Sequence, residues 1–275
     1  MRSRLFYHSL FLHISLVPII LLFLATAVAG DDDDDEGGSG TKITAAFTEP
    51  ATGIPMQRFF GAKSGFGFAM ALPDTAAAGN ASSSFIGQLT FPLVNGAGWG
   101  GWSLTGDMEG PLLMAAWANA AGTGVVSSFR QARNEDDNPP EVTGTFVARP
   151  IADGTAVNAS FLTYTFLCEG CLGAGLGLDA AAATATVEMG WALGSKAVGN
   201  PGSPAAVLNF HDVGFGGFQA QLGLAKVPQA DFDRVAALAG APVQPATGAV
   251  PFNSAAGGDG GGDDSDDEEE DDDDD

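Results

Sequence analysis

Apolar side chains recur at every second position through long parts of this chain. Phe66, Phe68, Met70 and Leu72 alternate with glycine and alanine, Phe85, Gly87, Leu89, Phe91 and Leu93 repeat the pattern, and so do Val187, Met189, Trp191 and Leu193. A period of two gathers such residues on one face of a β-strand. Residues 142–149 and 161–167 are rich in β-branched and aromatic side chains, which suit a pleated surface. Turn clusters such as Asn95-Gly96-Ala97-Gly98 and Gly199-Asn200-Pro201-Gly202 separate these runs. Glycine supplies 39 of 275 residues, about twice its usual share of roughly 7%. The pattern predicts an all-β fold, an antiparallel β-sandwich, and not a parallel α/β sheet. One helix is expected over Ala230–Ala239, with Gly240 as its stop.

Charge divides the chain into parts. The formal charge is −23, yet Asp31–Glu36 hold 6 acids and Asp259–Asp275 hold 13, which leaves 15 acids against 9 bases over residues 41–258. Two acidic, glycine-rich segments, 30–43 and 241–275, cannot bury apolar surface and are expected to be a disordered leader and tail around a domain at 44–240. Strong net acidity repels phosphate backbones, so no nucleic-acid partner is expected.

Residues 1–29 read as a secretory signal: Arg2 and Arg4, an apolar run from Leu10 to Leu24, and a small-x-small ending at Ala27-Val28-Ala29. An uncleaved membrane anchor is the alternative. Cleavage is favoured by His13, Pro18 and that ending, giving a secreted, extracellular protein with no membrane segment left. Outside the cell an even cysteine count favours a disulfide between Cys168 and Cys171. Their C-x-x-C spacing also occurs in redox, zinc and c-type haem motifs, but the βαβ context, further ligands and following histidine are missing. Two sequons, at Asn80 and Asn158, suit a glycosylated surface.

The remaining chemistry is sparse. After the signal only His211 is left, which excludes multi-histidine copper or zinc centres. No G-x-S-x-G, phosphate loop or dinucleotide fingerprint occurs in a fitting context. Asp107, Glu109, Glu188 and Asp212 could pair as glycosidase carboxylates. His211 lies in Asn209-Phe210-His211-Asp212-Val213-Gly214-Phe215, where an imidazole between aromatic rings and glycines could face a flat apolar cofactor. Of the methionines, Met70, Met114 and Met189 fall on core-like runs, whereas Met108 sits in the polar loop Thr105-Gly106-Asp107-Met108-Glu109-Gly110.

Taken in order, several segments resemble the cytochrome domain of fungal cellobiose dehydrogenase, the haem b domain also called an iron reductase domain. They include Gly65-Phe66-Gly67-Phe68, Gly106-Asp107-Met108, Leu112–Asn119, Val126-Ser127-Ser128-Phe129-Arg130, Phe166-Leu167-Cys168-Glu169-Gly170-Cys171, Gly190-Trp191-Ala192 and the His211 segment. The resemblance spans about Thr44 to Leu224. It implies an immunoglobulin-like or DOMON-like two-sheet sandwich holding one non-covalent haem b, with Met108 and His211 as axial iron ligands and Cys168–Cys171 as a disulfide. The chain departs from the family at Asp107, where a small residue is expected, and at Gln131–Asp137, which lacks an expected tyrosine. No flavin domain follows, so the chain reads as a free-standing cytochrome.

Two axial ligands leave no position for substrate, which suits one-electron transfer, and a thioether ligand raises the potential. The second imidazole nitrogen is expected to be held by Asp212 or a backbone carbonyl. The resemblance implies a flavin-dependent dehydrogenase or small reductant as donor, and Fe(III), a quinone or a copper polysaccharide monooxygenase as acceptor. The alternative is a haem-free sandwich that binds carbohydrate or protein, with Trp99, Trp102 and Trp117 as a sugar platform. The acidic tail, beyond solubilising the chain, could bind cations or steer a basic partner.

Overall fold

A computed structural model describes residues 42–75 and 82–255. The predicted signal, most of the acidic leader, Asn80 of the first sequon and the tail from residue 256 lie outside the described residues. The chain forms β1 (Ala45–Thr48), β2 (Pro55–Phe60), β3 (Gly67–Asp74), β4 (Phe85–Pro92) and β5 (Trp99–Ser103). Then come β6 (Leu113–Ala118), β7 (Val125–Arg130), β8 (Val142–Thr143), β9 (Val147–Pro150) and β10 (Ala156–Val157). The series ends with β11 (Phe161–Glu169), β12 (Thr186–Gly194), β13 (Gly214–Gln221), β14 (Lys226–Pro228), α1 (Gln229–Ala236) and β15 (Val250–Pro251).

Two sheets face each other, as the alternation predicts. The larger runs β1-β2-β3-β4-β11-β10, with β14 added to β3 and β9 to β11; the smaller runs β13-β12-β5-β6-β7 and is antiparallel throughout. Between them lies the main core. Phe68 and Phe85 meet Trp102 with ring centroids 5.4 and 5.6 Å apart, and Phe66 stacks on Trp191 at 5.2 Å. Met70, Met114 and Met189 are buried there, as expected.

The sequence does not reveal that β3 and β4 are covered on both faces. Ala69, Ala71 and Ile86 point away from the main core into a second cluster with Phe232 and Val235 of α1. Those two helix residues are three positions apart and so share one face; burying each contributes about 1.5–3 kcal/mol. The helix falls where expected but stops at Ala236. The β-branched stretch from residue 142 forms two short strands, β8 and β9, separated by residues 144–146.

The expected tail boundary is corrected over 241–255. Val243 donates its amide to Ala148 O, β15 pairs with β8, and Phe252 meets Phe146 edge-on at 5.9 Å. This stretch carries Val243, Val250 and Phe252, apolar surface that the acidic residues after it lack. Cys168 and Cys171 form a disulfide, with both residues buried. No helix of the described residues is long and apolar enough to cross a membrane.

Candidate functional site

The outer face of the smaller sheet carries the site, and its register explains why. One row across the sheet reads Phe215–Ala192–Gly101–Ala115–Ser128. Four of those five side chains are small or absent, so a flat floor opens between bulkier neighbours. Gly101 cannot take a side chain, since a Cβ there would meet Met114 O at 2.8 Å. A cavity of about 580 Å³ stands on this floor, within the range of roughly 300–1,000 Å³ usual for ligand pockets.

The β12–β13 connection, residues 195–213, forms an arm over one side. Trp99 and Trp117 lie on the outer face and donate their indole N–H groups to Asn209 O and Pro201 O, each at 3.0 Å. Arg130, 1% exposed, is the second anchor. It donates Nε to Ser128 Oγ (2.6 Å), Nη1 to Pro139 O (2.9 Å), and Nη2 to Pro204 O (2.6 Å) and Ala206 O (2.8 Å). Burial pulls its pKa down to about 10, against the opposing pull of Glu141. At the neck of the arm, Ser195 donates its amide and hydroxyl to the two Asp212 carboxylate oxygens, both at 2.8 Å.

His211 projects from this arm into the cavity lining, between Phe210 at 4.2 Å and Phe215 at 4.3 Å. Its Nδ1 is buried without a hydrogen-bond partner. The expectation that Asp212 holds this nitrogen is therefore corrected: both Asp212 oxygens are engaged by Ser195. Partial burial holds the imidazole pKa below its ordinary 6.5, against the pull of its own main chain and the Glu135 carboxylate. A neutral ring is the form that can donate a lone pair to a metal.

The β5–β6 connection brings Met108 to the same cavity. Ser103 and Thr105 hydroxyls both donate to Asp107 O, at 2.8 and 3.1 Å, and the Asp107 carboxylate accepts the Glu109 amide at 3.0 Å. Asp107 thus builds the turn that presents the thioether. Gln131 Nε2 fixes the far end of the loop, donating to Gly110 O at 2.7 Å. Residues 131–139 supply the third wall, with Glu135, Asp136 and Asp137 in the lining.

The sequence-predicted residues separate clearly. Met108 and His211, more than a hundred positions apart, share one cavity. Asn158 is exposed and accepts the Ser160 and Phe161 amides. Trp99, Trp102 and Trp117 are buried and offer no exposed sugar platform. Asp107 and Asp212 serve local turns, and Glu188 packs where side chains at Gly106 and Gly217 would stand. Sequence reasoning missed Arg130 as an anchor and the small-residue row; the row could have been found from small residues at alternate positions in three neighbouring strands.

A sequence profile of the cytochrome domain of cellobiose dehydrogenase matches residues 47–233, well over half of the chain. The chain belongs to this family. The cytochrome domain of Myriococcum thermophilum cellobiose dehydrogenase superposes with a TM-score of 0.63 at 28% identity, over 74% of this chain and 99% of that one. The cytochrome b domain of Coprinopsis cinerea pyranose dehydrogenase gives 0.57 at 22% identity, over 76% and 99%, a likeness of fold. The family match therefore runs from within β1 to within α1. The residues present fit a flat macrocycle: a floor of small side chains, and one sulfur and one imidazole from separate loops lining the same cavity.

Proposed function

We propose that this chain is an exported haem b electron carrier, in which Met108 and His211 would hold the haem iron. The observation that carries the reading is that the Met108 thioether and the one imidazole among the described residues line one cavity over a floor of small side chains. Haem b would supply a one-electron Fe(III)/Fe(II) couple. The protein's own residues supply the rest. Trp99, Trp117 and Arg130 hold the His211 arm down, and the Asp107 turn presents Met108. Phe210 and Phe215 flank the imidazole and limit its rotation. With the thioether and the imidazole both committed to the iron, the site would suit relay rather than catalysis on a bound substrate. A flavin-dependent dehydrogenase or small reductant is the donor we favour, and Fe(III), a quinone or a copper polysaccharide monooxygenase the acceptor. Residues 1–29 would direct export, and Asn80 and Asn158 would carry glycans.

A visible spectrum tests the reading. Protein from haem-replete expression should be red, with a Soret band that shifts on reduction and a sharp α band. His211→Ala and Met108→Leu should each change that spectrum, and Met114→Leu should leave it intact. A folded but colourless product, or iron that is five-coordinate in the unaltered protein, overturns it.

A further inference from the structure

The third wall of the cavity is acidic and solvent-exposed, and it is held by hydrogen bonds of its own turn. Glu135, Asp136 and Asp137 line it in succession. Asn134 Oδ1 accepts the Asp136 and Asp137 amides at 3.2 and 2.8 Å, and Asn134 Nδ2 donates to Asp137 Oδ2 at 3.0 Å. Arg130 holds Pro139, and Asn138 Oδ1 accepts the Leu208 amide at 2.8 Å, which joins the wall to the arm that carries His211. Arg130 is the one cation in the lining, and its guanidinium is committed to Ser128 and three carbonyls. None of the three acids forms an ion pair among the described residues. The three acids and His211 line the same cavity.

We propose that the Glu135–Asp137 wall is a determinant of the site's reduction potential, lowering it below what the sulfur and imidazole donors alone would set. This rests on the haem-carrier reading. Taking up one electron removes one positive charge from the site and breaks no bond. Fixed negative charge nearby therefore favours the oxidised form, by an amount that falls with distance and effective dielectric and is screened by salt.

The test is spectroelectrochemical titration of the haem-loaded full chain with Glu135→Gln, Asp136→Asn and Asp137→Asn combined, at low and high salt. The reduction equilibrium constant should rise about threefold to tenfold, tenfold being about 59 mV for one electron. The gap between variant and parent should narrow in high salt, with the visible spectrum unchanged. The same titration on Glu135→Gln alone should give a smaller rise, which keeps the test available should the triple variant fold poorly. Asp231→Asn with Asp233→Asn, on α1 behind the larger sheet, is the control for bulk charge. A potential that is unmoved, that falls, or that moves no more than in this control overturns the inference while the haem reading stands. A parent protein without the six-coordinate spectrum overturns the haem reading, and this inference with it.

Discussion

Replacing Arg130 by lysine keeps the charge and removes the fork. The guanidinium reaches Ser128 Oγ, Pro139 O, Pro204 O and Ala206 O at 2.6–2.9 Å, joining three chain segments. A lysine nitrogen donates from a single point at the end of a flexible stem and cannot span those acceptors. Hydrogen bonds to charged groups net about 1.5–3 kcal/mol each, but the sum is not realised, because burying the guanidinium has its own cost, visible in a pKa pulled down to about 10. Losing one side of a buried charged network costs about 3–5 kcal/mol. We expect Arg130→Lys near the lower end, about 3 kcal/mol, since one or two acceptors keep a donor. For a domain of this size that is about 6–12 °C in Tm. Urea unfolding followed by tryptophan fluorescence measures the loss. Hydrogen exchange should localise it, with the Val207 and Leu208 amides, bonded to Gly199 O and Asn138 Oδ1, opening faster than the β3–β4 ladder. A loss below about 1 kcal/mol, with exchange in the arm unchanged, would refute the view that this fork holds the His211 arm.

Tyr164 is buried and hydrogen-bonded to Ser127 at 3.0 Å, and burial pushes its pKa well above the ordinary 10.0. A folded pKa raised above the unfolded one gives stability that is complete below pH 10 and lost as pH climbs past it. Tyr7 and Tyr164 are the two tyrosines of the sequence, so in a chain starting after Ala29 phenolate absorbance should appear only together with unfolding; a smooth titration near pH 10 in folded protein contradicts this. Replacing Cys168 and Cys171 together by alanine opens a link of sequence separation 3. Short-loop closure predicts a loss of about 2 kcal/mol, and thermal unfolding of the parent with and without reductant should show the same step.

Much of the sandwich can be read from alternation, because a strand buried on one face writes its period directly into the sequence. Phe66 through Leu72 and Val187 through Leu193 lie where that period puts them. The signal weakens wherever a second layer covers the other face: Ala69, Ala71 and Ile86 look like spacers until α1 is seen to pack on them. At the site, Met108 stands out as a thioether in a polar loop and His211 as the lone imidazole. The arrangement that brings them together does not stand out, because it depends on register across the sheet and on indole and guanidinium bonds to carbonyls of a distant loop. Carbonyls carry no side-chain identity, so nothing in the string of letters marks Pro201, Pro204 or Asn209 as partners. The 241–255 strap was hidden for a different reason: its few apolar residues precede a long acidic run that dominates any average over the segment.

That strap has a practical consequence. Gln131 donates to Gly110 O in the Met108 loop and, through the same amide nitrogen, to Asn253 O, while its oxygen accepts the Asn253 amide. Whatever is joined to the chain beyond Ala255 is thus leashed beside the Met108 loop. An electrode linker or a flavoprotein fused there would start close to the Met108 loop, at a high local concentration beside it. The same cargo joined ahead of Lys42, whose carbonyl pairs with Gln219, would start from the opposite end of β13 to Phe215 and face a longer crossing.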